Sequence, residues 1–266
     1  MIRETIALTV RELKHWYRAK IQIFMMLVQP IVWLGLFGQA FAFPLDPRLL
    51  NGAPDYMSYM SVGQLAIISL FTCMFVGMSI VWDRRFGFLN KLRAAPIPRG
   101  AIPISRVIAT VIRAVISGLM VLLIALLFAH IPGLKGLTIT ANFGVIEFLG
   151  MLLILGLLAT AFAAIFVAIA LTIKQQETLF AVINLVNLPL MFASAALFPI
   201  STMPDWLQAV AKVNPLTLAV DGIRQLMFSG SVGIYSLGVD ILGLAVFSAI
   251  FITIGIVVAM RALKEK

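Results

Sequence analysis

Three ionisable residues lie inside long apolar stretches of this chain: Arg113, Glu147 and Asp240. A charge within a membrane span is costly, so such residues are the first candidates for a functional role. Here they form no series. Glu147 and Asp240 fall near the outer ends of their runs, and Arg113, about two turns into its own, is placed to snorkel to the surface. A proton relay needs carboxylates or imidazoles spaced across the bilayer, and the pattern gives it little support. No Gly-rich phosphate loop, HExxH or GxSxG occurs, which speaks against nucleotide hydrolysis, protease or lipase chemistry in this chain. The single cysteine, Cys73, has no internal disulfide partner, and zinc and redox spacings are missing. The concentrated chemistry is cationic. Between Asp83 and Arg106 the chain sets Arg84, Arg85, Lys91, Arg93, Arg99 and Arg106 against one acid, Asp83.

Apolar runs long enough to cross a bilayer flank that stretch, residues 61–82 before it and 107–129 after it. A short basic loop between spans is retained on the cytoplasmic side. From Arg84 to Ala95 it reads as a helix of about three turns with Phe88 and Leu92 on one face and Leu89 adjacent. Pro96 and Pro98 stop that helix, and Gly100 and Pro103 prolong the break. Two readings follow from the residues alone. The loop is a topology signal whose apolar side chains rest on headgroups, or it is a docking element that fits a groove on a soluble partner.

The elements that carry this loop are membrane helices. The 266 residues are 62% hydrophobic and 12% charged, against roughly 25% charged in soluble domains, and mean hydropathy is +1.07. A net charge of +9 would suggest nucleic acid in a soluble protein. Here the cations sit at span ends, where anionic headgroups and topology account for them, so no nucleic-acid partner is expected. Residues 1–20 are too polar to span and read as an interface helix lying among headgroups. Ile6, Val10, Leu13 and Tyr17 form its apolar stripe, with Arg3, Arg11, Lys14, Arg18 and Lys20 around it. The segment lacks the short apolar core of a cleavable signal peptide.

The fold expected is all-α, with six transmembrane helices in one 266-residue domain. The spans are approximately 21–43 (with a kink or a close helix contact expected from Pro30, Gly35 and Gly38), 59–82, 107–129, 142–173, 179–198 and 237–260. Residues 199–235 hold two helices too short to cross a core of roughly 30 Å. In the first, Ser201 or Thr202 caps, Pro204 and Asp205 occupy the first turn, and Lys212 lies near the end. In the second, Asn214 is the N-cap and Pro215 the first helical residue. Leu216, Ala219, Ile223 and Leu226 form its apolar face, with Asp221, Arg224 and Gln225 on the other. A helical hairpin dipping into the outer leaflet is the expected outcome. Lys and Arg gather in 1–20, in 83–106, at Lys174 and in the tail, while the opposite side holds Arg48, Lys135, Lys212 and Arg224. Both termini are therefore expected in the cytoplasm.

Four pieces of sequence resemble ABC-2 type permeases, the membrane half of ATP-binding-cassette exporters: RELKHWYR (11–18), DRRFGFLNKLRAAPIPR (83–99), LFPIS (197–201) and NPLTLAVDGIR (214–224). The last is the most specific, and the RAAPIPRG run resembles the drug- and antibiotic-resistance branch. Asp83 stands where glutamate is common in that family. The resemblance implies a non-enzymatic permease of the plasma membrane, without a cofactor of its own, working as a homodimer or close heterodimer. Two copies of a separate ATPase would bind ATP and Mg. It further implies that Arg84, Arg85, Phe88, Leu89, Leu92 and Arg93 couple to the ATPase and that Arg11, Lys14, Tyr17 and Arg18 belong to an interface helix. Asn214, Pro215, Asp221 and Arg224 would belong to the external hairpin. An amphipathic drug-like or lipid-like substrate is expected, the apolar pathway being rich in Met and Phe. A polysaccharide or lipid-linked glycan exporter is the alternative, although four Trp and four Tyr do not insist on a glycan channel. A stand-alone channel or proton-coupled carrier is the reading from a different class.

Overall fold

The computed structural model describes residues 2–40, 50–87, 98, 100–141, 143–173 and 175–264. Among these residues the protein is all-helical, with nine helices. α1 is the amphipathic Ile2–Arg18, and α2 runs Lys20–Ala40. α3 is Tyr56–Arg85, α4 Ala101–Phe128 and α5 Val145–Thr172. α6 is Gln176–Phe192, the short α7 and α8 are Asp205–Val213 and Pro215–Met227, and α9 is Leu237–Lys264. Five of them, α2, α3, α4, α5 and α9, are long and apolar enough to cross a membrane, and α6 is a shorter apolar helix.

Where the sequence leads one to expect a kink or a close helix contact, the helix changes type just beyond Pro30. Proline removes one backbone donor and its ring crowds the preceding turn. Residues Trp33–Phe37 follow it as a π-helical turn, closed by the Gly38 N–H reaching back to the Trp33 carbonyl. The end of α2 is tied to the segment after α4 by Gln39. Its amide donates to the Lys135 carbonyl (2.8 Å), and its side-chain oxygen accepts from the Lys135 N–H (2.9 Å).

α3 and α5 are the most buried of the long helices and form the centre of the bundle, with α4 and α9 packed around them. Close contacts use small residues, as expected where lipid tails remove the hydrophobic drive between helices. Gly118 on α4 meets Leu155, and Gly255 on α9 meets the Ala164 backbone. The Ser248 hydroxyl donates to the Leu157 carbonyl (2.8 Å) and fixes α9 against α5.

The helix boundaries at both ends of the basic stretch differ from the sequence expectation. Pro103 does not prolong a break: it lies in the first turn of α4, where the helix has no donor to lose. At the other end of the basic stretch, Arg84 and Arg85 close α3 instead of opening a separate helix. Gly87 follows with φ +70°, a left-handed conformation that ends the helical run. The expected contact residues Phe88, Leu89, Leu92 and Arg93 lie outside the described residues.

Candidate functional site

α1 lies against α4 through Thr5, Thr9, Glu12 and Trp16, all buried. This is not the apolar stripe. Ile6, Val10 and Tyr17, one residue further round, are exposed, so the stripe is free to face lipid while a polar face packs inward. Threonine makes that possible because it is small and can satisfy itself. The Thr9 hydroxyl donates to the Thr5 carbonyl at 2.8 Å.

At the centre of the contact is a buried ionic node. The Glu12 carboxylate accepts from Arg11 (2.8 Å), Arg106 (3.0 Å) and Arg113 (3.3 Å), and Arg113 also donates to the Glu12 backbone carbonyl. Arg106 in turn pairs with Asp83 at the end of α3 and donates to the Ser79 hydroxyl (2.9 Å). Two carboxylates and three guanidiniums thus join α1, α3 and α4. Arg113 does not snorkel, since a fixed acid holds it inside. Arg106 and Asp83, which the sequence places at the two ends of the basic loop between spans, are part of the packed bundle. A buried ion pair gains little over an apolar core of the same shape, but removing one partner is expensive. The node therefore specifies how α1 sits on the spans more than it adds stability.

Of the expected interface residues, only Arg11 joins the node; Lys14, Tyr17 and Arg18 are exposed. Glu12, Arg106 and Asp83 were not singled out as site residues. Their signal was scarcity: acids are few here, and these two carboxylates fall beside basic clusters at span ends.

A second polar centre lies at the opposite end of α3. α6 stops at Phe192, short of the expected span end at Phe198, and residues 193–197 are buried as non-helical turns. Irregular backbone at such depth needs protein donors and acceptors. Tyr56 and Tyr59 donate to the Leu197 and Ala195 carbonyls (3.0 and 2.9 Å), and the Ala195 N–H donates to the Thr217 hydroxyl (3.0 Å). Asn214 caps α8 by accepting from the Leu216 N–H (2.9 Å), as expected, with Pro215 at the first helical position. Its amide also donates to the Leu190 and Ala193 carbonyls (2.8 and 2.6 Å), so one side chain closes two helix ends.

The polar face expected for α8 is not exposed. Asp221 and Arg224 are both fully buried, because α8 sits among α3, α5 and α9. The Arg224 guanidinium stacks 3.4 Å from the centre of the Tyr59 ring and donates to the Tyr59 carbonyl (2.9 Å). Asp221 accepts from the Ile234 and Tyr235 N–H groups (2.7 and 3.2 Å). Burial pushes the Asp221 carboxyl up, opposed by those two amides and by Arg224. These residues anchor α8. α7 also departs from expectation: no side chain caps it, and Thr202 belongs to a preceding 3-10 turn in which its hydroxyl donates to Pro199.

Residues 3–228 match the family model described as ABC-2 type transporter. The chain belongs to the ABC-2 type transporter family. The match takes in both polar centres, from α1 through α8. Among curated relatives, the ycf38 proteins of Porphyra purpurea and Cyanophora paradoxa, named as transport permeases, are each 31% identical to it. The alignments cover 84% and 88% of this chain and 74% and 77% of theirs. The daunorubicin-resistance ABC transporter permease protein of Streptomyces coeruleorubidus is 24% identical over 87% of this chain and 77% of its own. The similarity to drug-resistance permeases is therefore distant. This ABC-2 permease is a multi-pass membrane transport subunit without a catalytic domain. Permeases of the family pair with an ATPase subunit and typically bind no cofactor themselves.

Proposed function

We propose that this permease is the membrane half of an ATP-driven exporter in the plasma membrane that moves an amphipathic drug-like or lipid-like substrate out of the cytoplasm. In this reading two permease copies, identical or closely similar, flank the pathway. Two separate ATPase chains bind ATP and Mg on the cytoplasmic side, where both termini of the permease lie. α6 and the turns after it complete a sixth crossing, and α7–α8 form a hairpin in the outer leaflet. The coupling element is the stretch containing Phe88, Leu89, Leu92 and Arg93, with Arg84 and Arg85 at its start.

The observation that carries this reading is the ionic node. Asp83 and Arg106 stand at the two ends of the basic stretch, and through Arg106 both connect to Glu12 of the amphipathic helix. A push on that stretch by a closing ATPase would reach α1, α3 and α4 together. Burial of one apolar side chain is worth roughly 1.5–3 kcal/mol, whereas a peripheral charge mainly changes association rate and salt dependence. In proteoliposomes holding permease and ATPase, Phe88→Ala with Leu92→Ala is expected to uncouple transport from ATP hydrolysis or release the ATPase. Arg93→Ala should be milder and salt-sensitive. Normal export and normal ATPase retention in the double variant would leave the stretch as a topology signal only, and ATP hydrolysis by the permease alone would end the two-subunit reading.

A further inference from the structure

A cavity of about 780 Å³ opens where α1, α2 and α3 meet. Its exposed rim carries His15, Arg18 and Lys20, while Trp16, Phe75 and Trp82 contribute apolar walls. The acid that also lines it, Glu12, is already committed to three arginines. Neither Arg18 nor Lys20 enters an ion pair among the described residues. The rim is therefore net cationic over an apolar interior, and the size is that of a small-molecule site.

We propose that this cavity takes an anionic phospholipid-like amphiphile, its phosphate held at the rim by Arg18 and Lys20 and one chain laid against Trp16, Phe75 and Trp82. The proposal rests on the exporter reading for its direction and names a substrate class for it. Charge sign selects the class: a cationic amphiphile meets repulsion at the rim. The walls select against a free phosphate, which gains nothing from indole and phenyl rings. The entrance also fits lipid. Ile21, Phe75 and Trp82, which line the cavity, are themselves exposed, so its mouth opens onto a surface suited to chains.

The test reads binding, not transport. The full chain with Trp33→Phe and Trp206→Phe keeps Trp16 and Trp82, both in the cavity, as its only tryptophans. It is placed in nanodiscs containing chain-brominated phosphatidylglycerol or chain-brominated phosphatidylcholine at matched mole fractions. Stronger quenching by the phosphatidylglycerol is expected, with the preference falling about five-fold for each cation removed in Arg18→Gln and Lys20→Gln. Equal quenching by the two lipids would overturn the proposal. So would a preference that survives Arg18→Gln/Lys20→Gln, which would assign it to diffuse surface charge. Both substitutions are at exposed positions, and tryptophan emission before lipid exchange reports whether the variants are folded. ATPase-dependent export with no lipid preference would sink this proposal and leave the exporter reading standing; lipid preference without ATPase dependence would do the reverse.

Discussion

Replacing Glu12 with glutamine tests the ionic node without changing the shape of the side chain. The Arg106 and Arg113 side chains are only 6% and 12% exposed, so neither can turn to water. Arg106 keeps Asp83 as a counter-ion in the variant. Arg113 keeps a backbone carbonyl and a neutral amide. One buried guanidinium is thus stranded, and breaking a buried pair costs about 3–5 kcal/mol. The retained carbonyl places the expected loss near the lower end. At about 2–4 °C per kcal/mol for a domain of this size, the midpoint of thermal unfolding should fall by roughly 6–12 °C. Arg113→Met removes the stranded charge and keeps the volume, so Glu12→Gln/Arg113→Met should recover more than half of the loss. Tryptophan fluorescence during heating in nanodiscs measures all four proteins, with Lys14→Gln as an exposed control. A Glu12→Gln midpoint within about 1 °C of the parent, or no recovery in the double variant, would refute the claim that this carboxylate holds a packed charge.

Asn214→Ala should lose the cap, worth about 0.5–2 kcal/mol, and strand two carbonyls at about 1–3 kcal/mol each. Asn214→Ser keeps only the cap, so it should recover only that part, and equal unfolding midpoints for serine and asparagine would show that the two carbonyl contacts carry no energy. Gly63→Ala drives a methyl into the Ala196 carbonyl, where backbone must move, whereas Gly77→Ala is tight only against the tip of Ile183 at 3.2 Å, its other neighbours lying at ordinary contact distance. The first should cost about 1–3 kcal/mol and the second less, and the reverse order in thermal unfolding would contradict the close approach. In a Cys73→Ala background, Asp205→Cys and Ser229→Cys should both react with an impermeant thiol reagent applied from outside to intact cells. Labelling of either only after permeabilisation would exclude an external hairpin.

The sequence made the long helices and the Asn214–Pro215 helix start legible, because each depends on residues close together in the chain. The Glu12 node was hidden because residue 12 meets residue 106 only once the placement of α1 on α4 is known. An amphipathic pattern points to Ile6, Val10, Leu13 and Tyr17 as the binding stripe. Against lipid that stripe has no need to pack on protein, so the neighbouring Thr5, Thr9, Glu12 and Trp16 could do so instead. The end of α6 was misplaced for a related reason. Residues 193–198 are as apolar as a helix would require, and what lets them unwind is donors and acceptors from Tyr56, Tyr59, Asn214 and Thr217, distant in sequence. Asp221 and Arg224 looked like a solvated face because nothing local shows that α8 is covered on several sides.

The pairing of Asp83 with Arg106 has an entropic consequence. It pins the two ends of a stretch of about two dozen residues, and closing a loop of that length costs about 2.7 kcal/mol beyond a constant. Folding of the bundle has met that cost before any partner arrives. Under the coupling role proposed above, an ATPase gripping that stretch would meet a segment whose two ends are already fixed, and the binding energy otherwise needed to draw those ends together would be left for moving the helices to which they are fastened.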